Sequence, residues 1–236
     1  MTVSERRGSA RTAVVWDTLR PILDAPPLDV LDIGGGTGGF AVRVAQLGHR
    51  VTVVDPSPDA LAALARRARE LDVEVEGRQG DLGALGVEQG AVDLVLCHGV
   101  LEVVDDPAEA IATLGRVLRP GGRLSLLVGQ RNASVVARAM AGHFAQALAL
   151  LDDTSPSGRA GRRFTVAEAT DLLADAAFRV DSVHGVRVFA DLVPGSLLDL
   201  EPGAPAALAE LEHAVAQRPD FLPLAAQLHL MATFDR

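Results

Sequence analysis

Apolar positions along the chain fall in short blocks of two alternating kinds. Val30, Leu31 and Ile33 form a run suited to a strand buried on both faces, and Val51, Val53 and Val54 form another. Between them Phe40, Val42, Val44, Ala45 and Leu47 supply the apolar positions of a helix that Gly48 ends. The unit reads strand, glycine turn, helix, strand. Ahead of it a helix is predicted over about 9–25, closed by Pro26-Pro27. Behind it a helix runs from Pro58 to about Leu71, with Ser57 as N-cap, Pro58 at the first helical position and Leu61, Leu64, Ala65 and Ala68 on one side. A period-two strand follows from Val73 toward Gln79, then a strand over Ala91–Cys97. Asp106-Pro107 opens a helix carrying Ala110, Ile111, Leu114, Val117 and Leu118, Arg119-Pro120-Gly121-Gly122 stops it, and Leu124–Val128 is the fifth strand.

The alternation lapses over 130–163, where Val135–Leu151 reads as helix and Asp152–Gly161 as a polar loop. It resumes with a helix over Phe164–Ala177, Thr165 its cap, and an alternating sixth strand over Arg179–Phe189. Residues 191–220 are irregular apart from one helix over about Pro205–Ala216, and Leu224–Phe234 alternates as a last strand that includes His229. The expectation is one domain over 1–236, with insertions at about 130–163 and 191–220 lying over a ligand edge of the sheet rather than forming a second domain.

Composition agrees with a single globular core: the chain has 236 residues, 48% hydrophobic and 22% charged. Cys97 is the one cysteine, so no disulfide framework forms within the chain and a cytoplasmic setting is expected. No apolar run reaches the length of a membrane span, and the first residues lack a signal-peptide core. Neither a membrane surface nor a metal is an expected partner. The formal net charge of −9 argues against broad non-specific binding to nucleic acid. All 22 basic residues are arginine, and eight lie in 116–163 against two acids, so that stretch is +6 and the remainder −15. A local basic face there could meet an anionic partner, although charge runs are most often solvated surface.

Chemistry gathers at the predicted strand ends. Gly34, Gly36 and Gly39 match the G-x-G-x-x-G spacing of dinucleotide folds, with Asp55 near the place of their ribose-binding acid. Asp32 discriminates. A pyrophosphate prefers the N–H groups of a helix start, and a carboxylate aimed into that turn repels it. S-adenosylmethionine has no phosphate and carries a sulfonium and an ammonium, which Asp32 suits, while Asp55 suits the two ribose hydroxyls. A dinucleotide site is the competing reading. Asp81, after Gly80 at the third strand end, can accept from an adenine amine, or it is a turn residue. His98 follows the fourth strand. Together Asp32, Asp55, Asp81 and His98 would occupy four strand ends on the edge where open α/β sheets bind ligands.

Several stretches carry a resemblance. Leu31-Asp-Ile-Gly-Gly-Gly-Thr-Gly38, Val53-Val-Asp55, Gly80-Asp-Leu82 and Leu118-Arg-Pro-Gly-Gly122 before a strand resemble the class I S-adenosylmethionine-dependent methyltransferases. That resemblance implies a Rossmann-like α/β fold with a seven-stranded, mostly parallel sheet and an antiparallel last strand. More of the chain is similar to the tRNA 5-carboxymethoxyuridine methyltransferases, which methylate a carboxylate on a modified wobble uridine. Gly8–Trp16, Cys97–Pro107, Val117–Leu126, Met140–Phe144 and Gly185–Phe189 carry that similarity. It implies that Arg11 reaches the cofactor's methionine carboxylate and that Gly34 and Gly35 line it, Gly36 being a further cofactor-binding candidate of the same turn. It further implies that Asp55 holds the ribose, that Gly80 and Asp81 hold the adenine end, and that His98 sits beside the reacting methyl. The substrate half departs from that family: Gly129-Gln130 replaces Tyr-Asn, Asp152–Arg163 replaces a lysine-rich segment, and Ala190 and Leu192 stand where the family has His and Tyr.

A carboxylate acceptor needs no base, only in-line positioning and exclusion of water. Arg131 or Arg187 would then orient the anion, whereas a neutral acceptor would need a base, for which His98 is the candidate. Three readings follow: a methyltransferase acting on modified tRNA or a related anion, reached through the arginine-rich stretch; a methyltransferase for a small molecule; and a non-catalytic nucleotide- or cofactor-binding protein.

Overall fold

A seven-stranded sheet organises the chain, in the order β3-β2-β1-β4-β5-β7-β6. In the computed structural model, residues 3–83, 85–153, 161–200 and 202–235 are described, without the side chains of 3–11, 195, 199 and 200. The strands are β1 (Asp29–Ile33), β2 (Arg50–Asp55), β3 (Glu76–Gln79), β4 (Val92–His98), β5 (Leu118–Gly129), β6 (Phe178–Val186) and β7 (Gln227–Phe234). β1 to β5 are mutually parallel, and β7 runs antiparallel between β5 and β6. The sheet is therefore Rossmann-like with its last strand reversed, as the resemblance implies. Strand order turns back between β1 and β4, and the crevice of such a sheet opens beyond the carboxyl ends of those two strands.

Helices cover both faces. They are α1 (Val3–Leu23), α2 (Ala41–Gln46), α3 (Pro58–Glu70), α4 (Pro107–Val117), α5 (Arg131–Met140), α6 (Phe144–Leu150), α7 (Val166–Asp175), α8 (Gly195–Leu200) and α9 (Ala204–Val215). Val14, Val15, Leu19 and Leu23 give α1 a buried stripe that packs with Val30, Val53, Leu94 and Leu96 on one face of the sheet. On the other face Ile111 and Leu114 of α4 and Leu173 of α7 pack with Leu31, Val95, Leu124 and Leu126. Burying each of these leucines contributes about 1.5–3 kcal/mol, which explains why the central strands are apolar on both faces.

The structure moves several predicted boundaries. α1 begins at Val3, well before the expected start near residue 9. β3 is only Glu76–Gln79, because Val73 and Val75 pack against the core without joining the ladder. β5 begins at Leu118, and the ladder skips from the Val92–Leu118 pair to Leu94–Arg123, so Arg119–Gly122 form an irregularity in the strand. The expected helix over Val135–Leu151 is two helices broken at Ala141–His143, where Gly142 takes a φ of +77°. The second insertion holds α8 as well as α9.

The sixth strand stops at Val186, short of the expected Phe189, and Arg187 turns out of it with φ +59°. The cause is Glu212 of α9. Its carboxylate accepts the N–H groups of Val188, Phe189 and Ala190 at 2.8, 2.8 and 2.7 Å, donors that a longer strand would have needed.

Candidate functional site

β1 delivers Asp32 to the crevice with 3% of its surface exposed. Burial, reinforced by the charge of Asp55 and opposed by a hydrogen bond from the Ala41 N–H, raises its pKa to about 7. The glycine turn wraps tightly around it: a Cβ at Gly35 would lie 2.6 Å from Asp32 Oδ2 and 3.0 Å from Val53 Cγ1. Gly34 and Gly36 take φ of +64° and +56°, a conformation that L side chains rarely adopt.

β2 delivers Asp55, also buried. Its Oδ2 accepts the Gly36 N–H at 2.9 Å and its Oδ1 the Ser57 N–H at 2.8 Å, joining the glycine turn to the start of α3. Each oxygen keeps further acceptor capacity, the pattern that a pair of vicinal hydroxyls needs. Gly80 donates its N–H to the Asp55 carbonyl at 3.3 Å, so the third strand end meets the second. Asp81 is exposed, and its Oδ1 accepts the Gly83 N–H at 2.8 Å, as a turn residue does. Arg11 lies on α1, and its side chain is outside those described.

His98 is the last residue of β4 rather than the first beyond it. Its Nε2 shares a hydrogen bond with the Ser125 hydroxyl at 2.8 Å, while its Nδ1 is buried without a partner. Desolvation lowers its pKa to about 4, so the ring is neutral at physiological pH. Phe40 meets the ring edge-on at 4.7 Å between centroids, and Trp16 stacks on Phe40 at 4.9 Å. Arg43 caps this stack, 3.8 Å over the Trp16 ring.

The two arginines expected to orient an anionic acceptor are both engaged. Arg131 Nη2 donates to both carboxylate oxygens of Glu168 at 2.7 Å and to the Arg163 carbonyl at 3.1 Å. Arg187 pairs with Asp191 at 3.4 Å. Three more arginines of the arginine-rich stretch are paired in the same way. Arg116 pairs with Glu109, Arg119 with Asp29 and Asp93, and Arg123 with Asp181. Arg116, Arg119, Arg123 and Arg131 of that stretch thus meet acids from elsewhere in the chain, while Arg138 bonds Gln146 and Arg162 and Arg163 donate to backbone carbonyls.

Three polar residues at the site escaped the sequence reading of chemistry: Ser125, His229 and Glu102. All three are buried. Glu102 Oε1 accepts the Gly129 N–H at 2.8 Å, which ties the loop after β4 to the end of β5, and Oε2 has no partner. Ser125 and His229 sit at ordinary alternation positions of strands, and their sequence carries no signal beyond being polar in an apolar run.

Residues 31–126 match the family model described as a methyltransferase domain. The fold is that of the class I methyltransferases. A solved S-adenosylmethionine-dependent methyltransferase from Mesorhizobium loti superposes with a TM-score of 0.64 at 21% identity, covering 97% of this chain and 99% of that one. The tRNA 5-carboxymethoxyuridine methyltransferase of Escherichia coli K12 is 35% identical over 144 residues, 58% of this chain and 55% of the relative. The ubiquinone biosynthesis O-methyltransferase of Xanthomonas oryzae pv. oryzae strain PXO99A is 36% identical over 134 residues, 56% of each. The chain thus spans about half the length of these curated relatives. Residues 31–126 are thus similar to a methyltransferase domain. Among the described residues no helix is long and apolar enough to cross a membrane, and no cluster of metal-ligating side chains occurs.

Proposed function

We propose that the chain transfers the methyl group of S-adenosylmethionine to a phenolic or enolic hydroxyl of a small molecule. The observation that carries this reading is the pairing at the acceptor side. Arg131 and Arg187 are both bound to carboxylates, while His98, neutral, keeps Nδ1 without a partner. A site for a carboxylate acceptor needs a free cation; a site for a hydroxyl needs a base. The identity to an O-methyltransferase of ubiquinone biosynthesis supports the same choice.

In this reading Asp32 is the anion that faces the cofactor's positive end, and Asp55 takes its ribose hydroxyls. Arg11, Gly34, Gly35 and Gly36 complete that half, with Gly80 and Asp81 toward the adenine. The cofactor supplies an activated methyl and its own leaving group. His98 removes the hydroxyl proton as the oxygen attacks. A phenol, with a pKa near 10, gives up its proton far more readily than an alkyl alcohol, and it does so as its oxygen attacks the methyl. The aromatic stack of Phe40 and Trp16 beside His98 is a flat apolar wall that excludes water from the reacting atoms.

The second reading, a carboxylate on a modified tRNA uridine, is supported by the 35% identity to the Escherichia coli enzyme. Incubation with methyl-labelled S-adenosylmethionine separates the two. Catechol and bulk tRNA are offered in parallel, and label is counted in each. Label on catechol, absent from His98→Gln, supports the hydroxyl reading; label on tRNA alone overturns it.

A further inference from the structure

We propose that α9 is a proton-dependent strap: a cationic His213 fastens it to Asp17 of α1, and through the neighbouring Glu212 this fastening steadies the turn that carries Arg187. Two oxygens face the His213 ring. Nδ1 lies 2.7 Å from the Ala209 carbonyl oxygen, and Nε2 lies 2.6 Å from Asp17 Oδ2. A backbone carbonyl and an ionised carboxylate only accept. A neutral imidazole has one N–H and one lone pair, so it serves one of these oxygens and turns its lone pair on the other. The imidazolium, with two N–H groups, satisfies both. Turning the ring over sets carbon against both oxygens and loses both bonds.

The contact matters because α9 is held near its C-terminal end. Its buried residues are Glu212 and Val215, both in the last turn. Val215 packs with Val188 and Ala225, and the carbonyl of Ala216 accepts the Gly185 N–H at 2.6 Å. Successive residues of a helix point about 100° apart. Glu212 therefore reaches the N–H groups of Val188, Phe189 and Ala190, while His213 reaches α1. α1 is the fixed side, since Val14, Val15, Leu19 and Leu23 are buried against the sheet. Trp16, the residue before Asp17, stacks on Phe40, which meets His98. The strap thus joins the helix that builds the aromatic wall to the turn that carries Arg187, whichever acceptor the chain methylates.

The charged groups acting on His213 are Asp17 from α1 and Glu212 beside it on α9. From β6, Ser182 and His184 line the same cavity of about 450 Å³, and burial lowers the pKa of His184 and keeps it neutral. The Ala209 carbonyl, aided by Asp17 and Glu212 and opposed by desolvation, raises the His213 pKa above its usual value of about 6.5. A group with a raised folded pKa contributes fully below the unfolded value, and its contribution is lost as pH rises through the folded one. The strap is therefore fastened in mildly acid solution and released on the alkaline side.

Nuclear magnetic resonance of the full chain tests this from pH 6 to 8.5. Histidine-selective ¹⁵N labelling reads the His213 ring, and amide exchange, corrected for its intrinsic pH dependence, reads the backbone. We expect both ring nitrogens protonated at pH 6, with a midpoint above about 6.5. Across that midpoint the protection of Val188, Phe189 and Ala190 should fall about two- to fivefold, the range of an exposed ion pair. Leu19 and Leu23 of α1 should keep theirs. Asp17→Asn and His213→Gln should each show the lower protection already at pH 6, with no step. A neutral His213 ring at pH 6 overturns the strap. So does wild-type protection without a step, a step that survives in Asp17→Asn, or an equal loss at Leu19 and Leu23, which marks unfolding of the whole chain.

Discussion

Gly35 lies directly over the carboxylate of Asp32, so that a Cβ at residue 35 would stand 2.6 Å from Oδ2. Neither partner has room to yield: Asp32 is buried, and Val53 closes the other side at 3.0 Å. Gly35→Ala is expected to cost about 1–3 kcal/mol of stability through overpacking, and to weaken S-adenosylmethionine binding at least tenfold by displacing the turn. Urea unfolding and calorimetric titration of the same preparation measure the two effects.

Asp32 also makes cofactor binding pH-dependent. Its pKa, raised to about 7 chiefly by burial, leaves it largely protonated in mildly acid solution. A sulfonium or ammonium beside it favours the ionised form, so binding releases a proton. Affinity should rise as pH increases toward 7, by up to about tenfold per unit, and level off above. Asp32→Asn should bind weakly at every pH with that slope abolished. Calorimetry from pH 5.5 to 8.5 checks both.

The buried histidines set the response of stability to acid. His229 has its pKa lowered well below the usual value, first by desolvation and then by His98 and His184. A histidine whose folded pKa lies below its unfolded value of about 6.5 takes up a proton on unfolding. It therefore favours the fold above that value, and the contribution is lost as pH falls from about 6.5 toward the folded pKa. Asp32, raised, works in the opposite sense, its contribution being lost as pH rises toward about 7. His229→Gln should reduce the acid slope of the unfolding free energy by up to about 1.4 kcal/mol per pH unit. Urea titrations between pH 6.5 and 5 measure it.

Arg131 is predicted to be structural. It is 6% exposed, and it holds Glu168, which is also the capping-box residue of α7. Arg131→Ala leaves that carboxylate half-buried without its cation and should cost about 2 kcal/mol, below the range for fully buried pairs. The kcat of the folded variant should stay within about twofold of wild type for any acceptor. A large kcat loss without loss of stability would return Arg131 to the acceptor site.

Glu212 anchors the turn that carries Arg187. Replacing it with Gln leaves one of three N–H groups facing an amide donor, and should cost about 2–3 kcal/mol. Faster amide exchange at Val188, Phe189 and Ala190, measured by hydrogen–deuterium exchange, identifies this anchor as the origin of the loss.

Local pattern alone determined the strand–glycine–helix–strand unit, the order of the elements, the cap at Ser57 and the acids at the strand ends. Each is specified within a few residues, by period, by turn chemistry or by a position after an apolar run. Folding decided what those positions do. It turned Asp32 into a buried acid of raised pKa, because only the assembled sheet removes water and brings Asp55 near. It drew Arg131 to Glu168 and Arg187 to Asp191, and it matched Arg119 of the arginine-rich stretch with an acid as remote in sequence as Asp29. It also placed Ser125 between two histidines 131 positions apart, an arrangement set by strand order and register. Pattern within one strand contains no information about the neighbour that hydrogen bonding across the sheet selects.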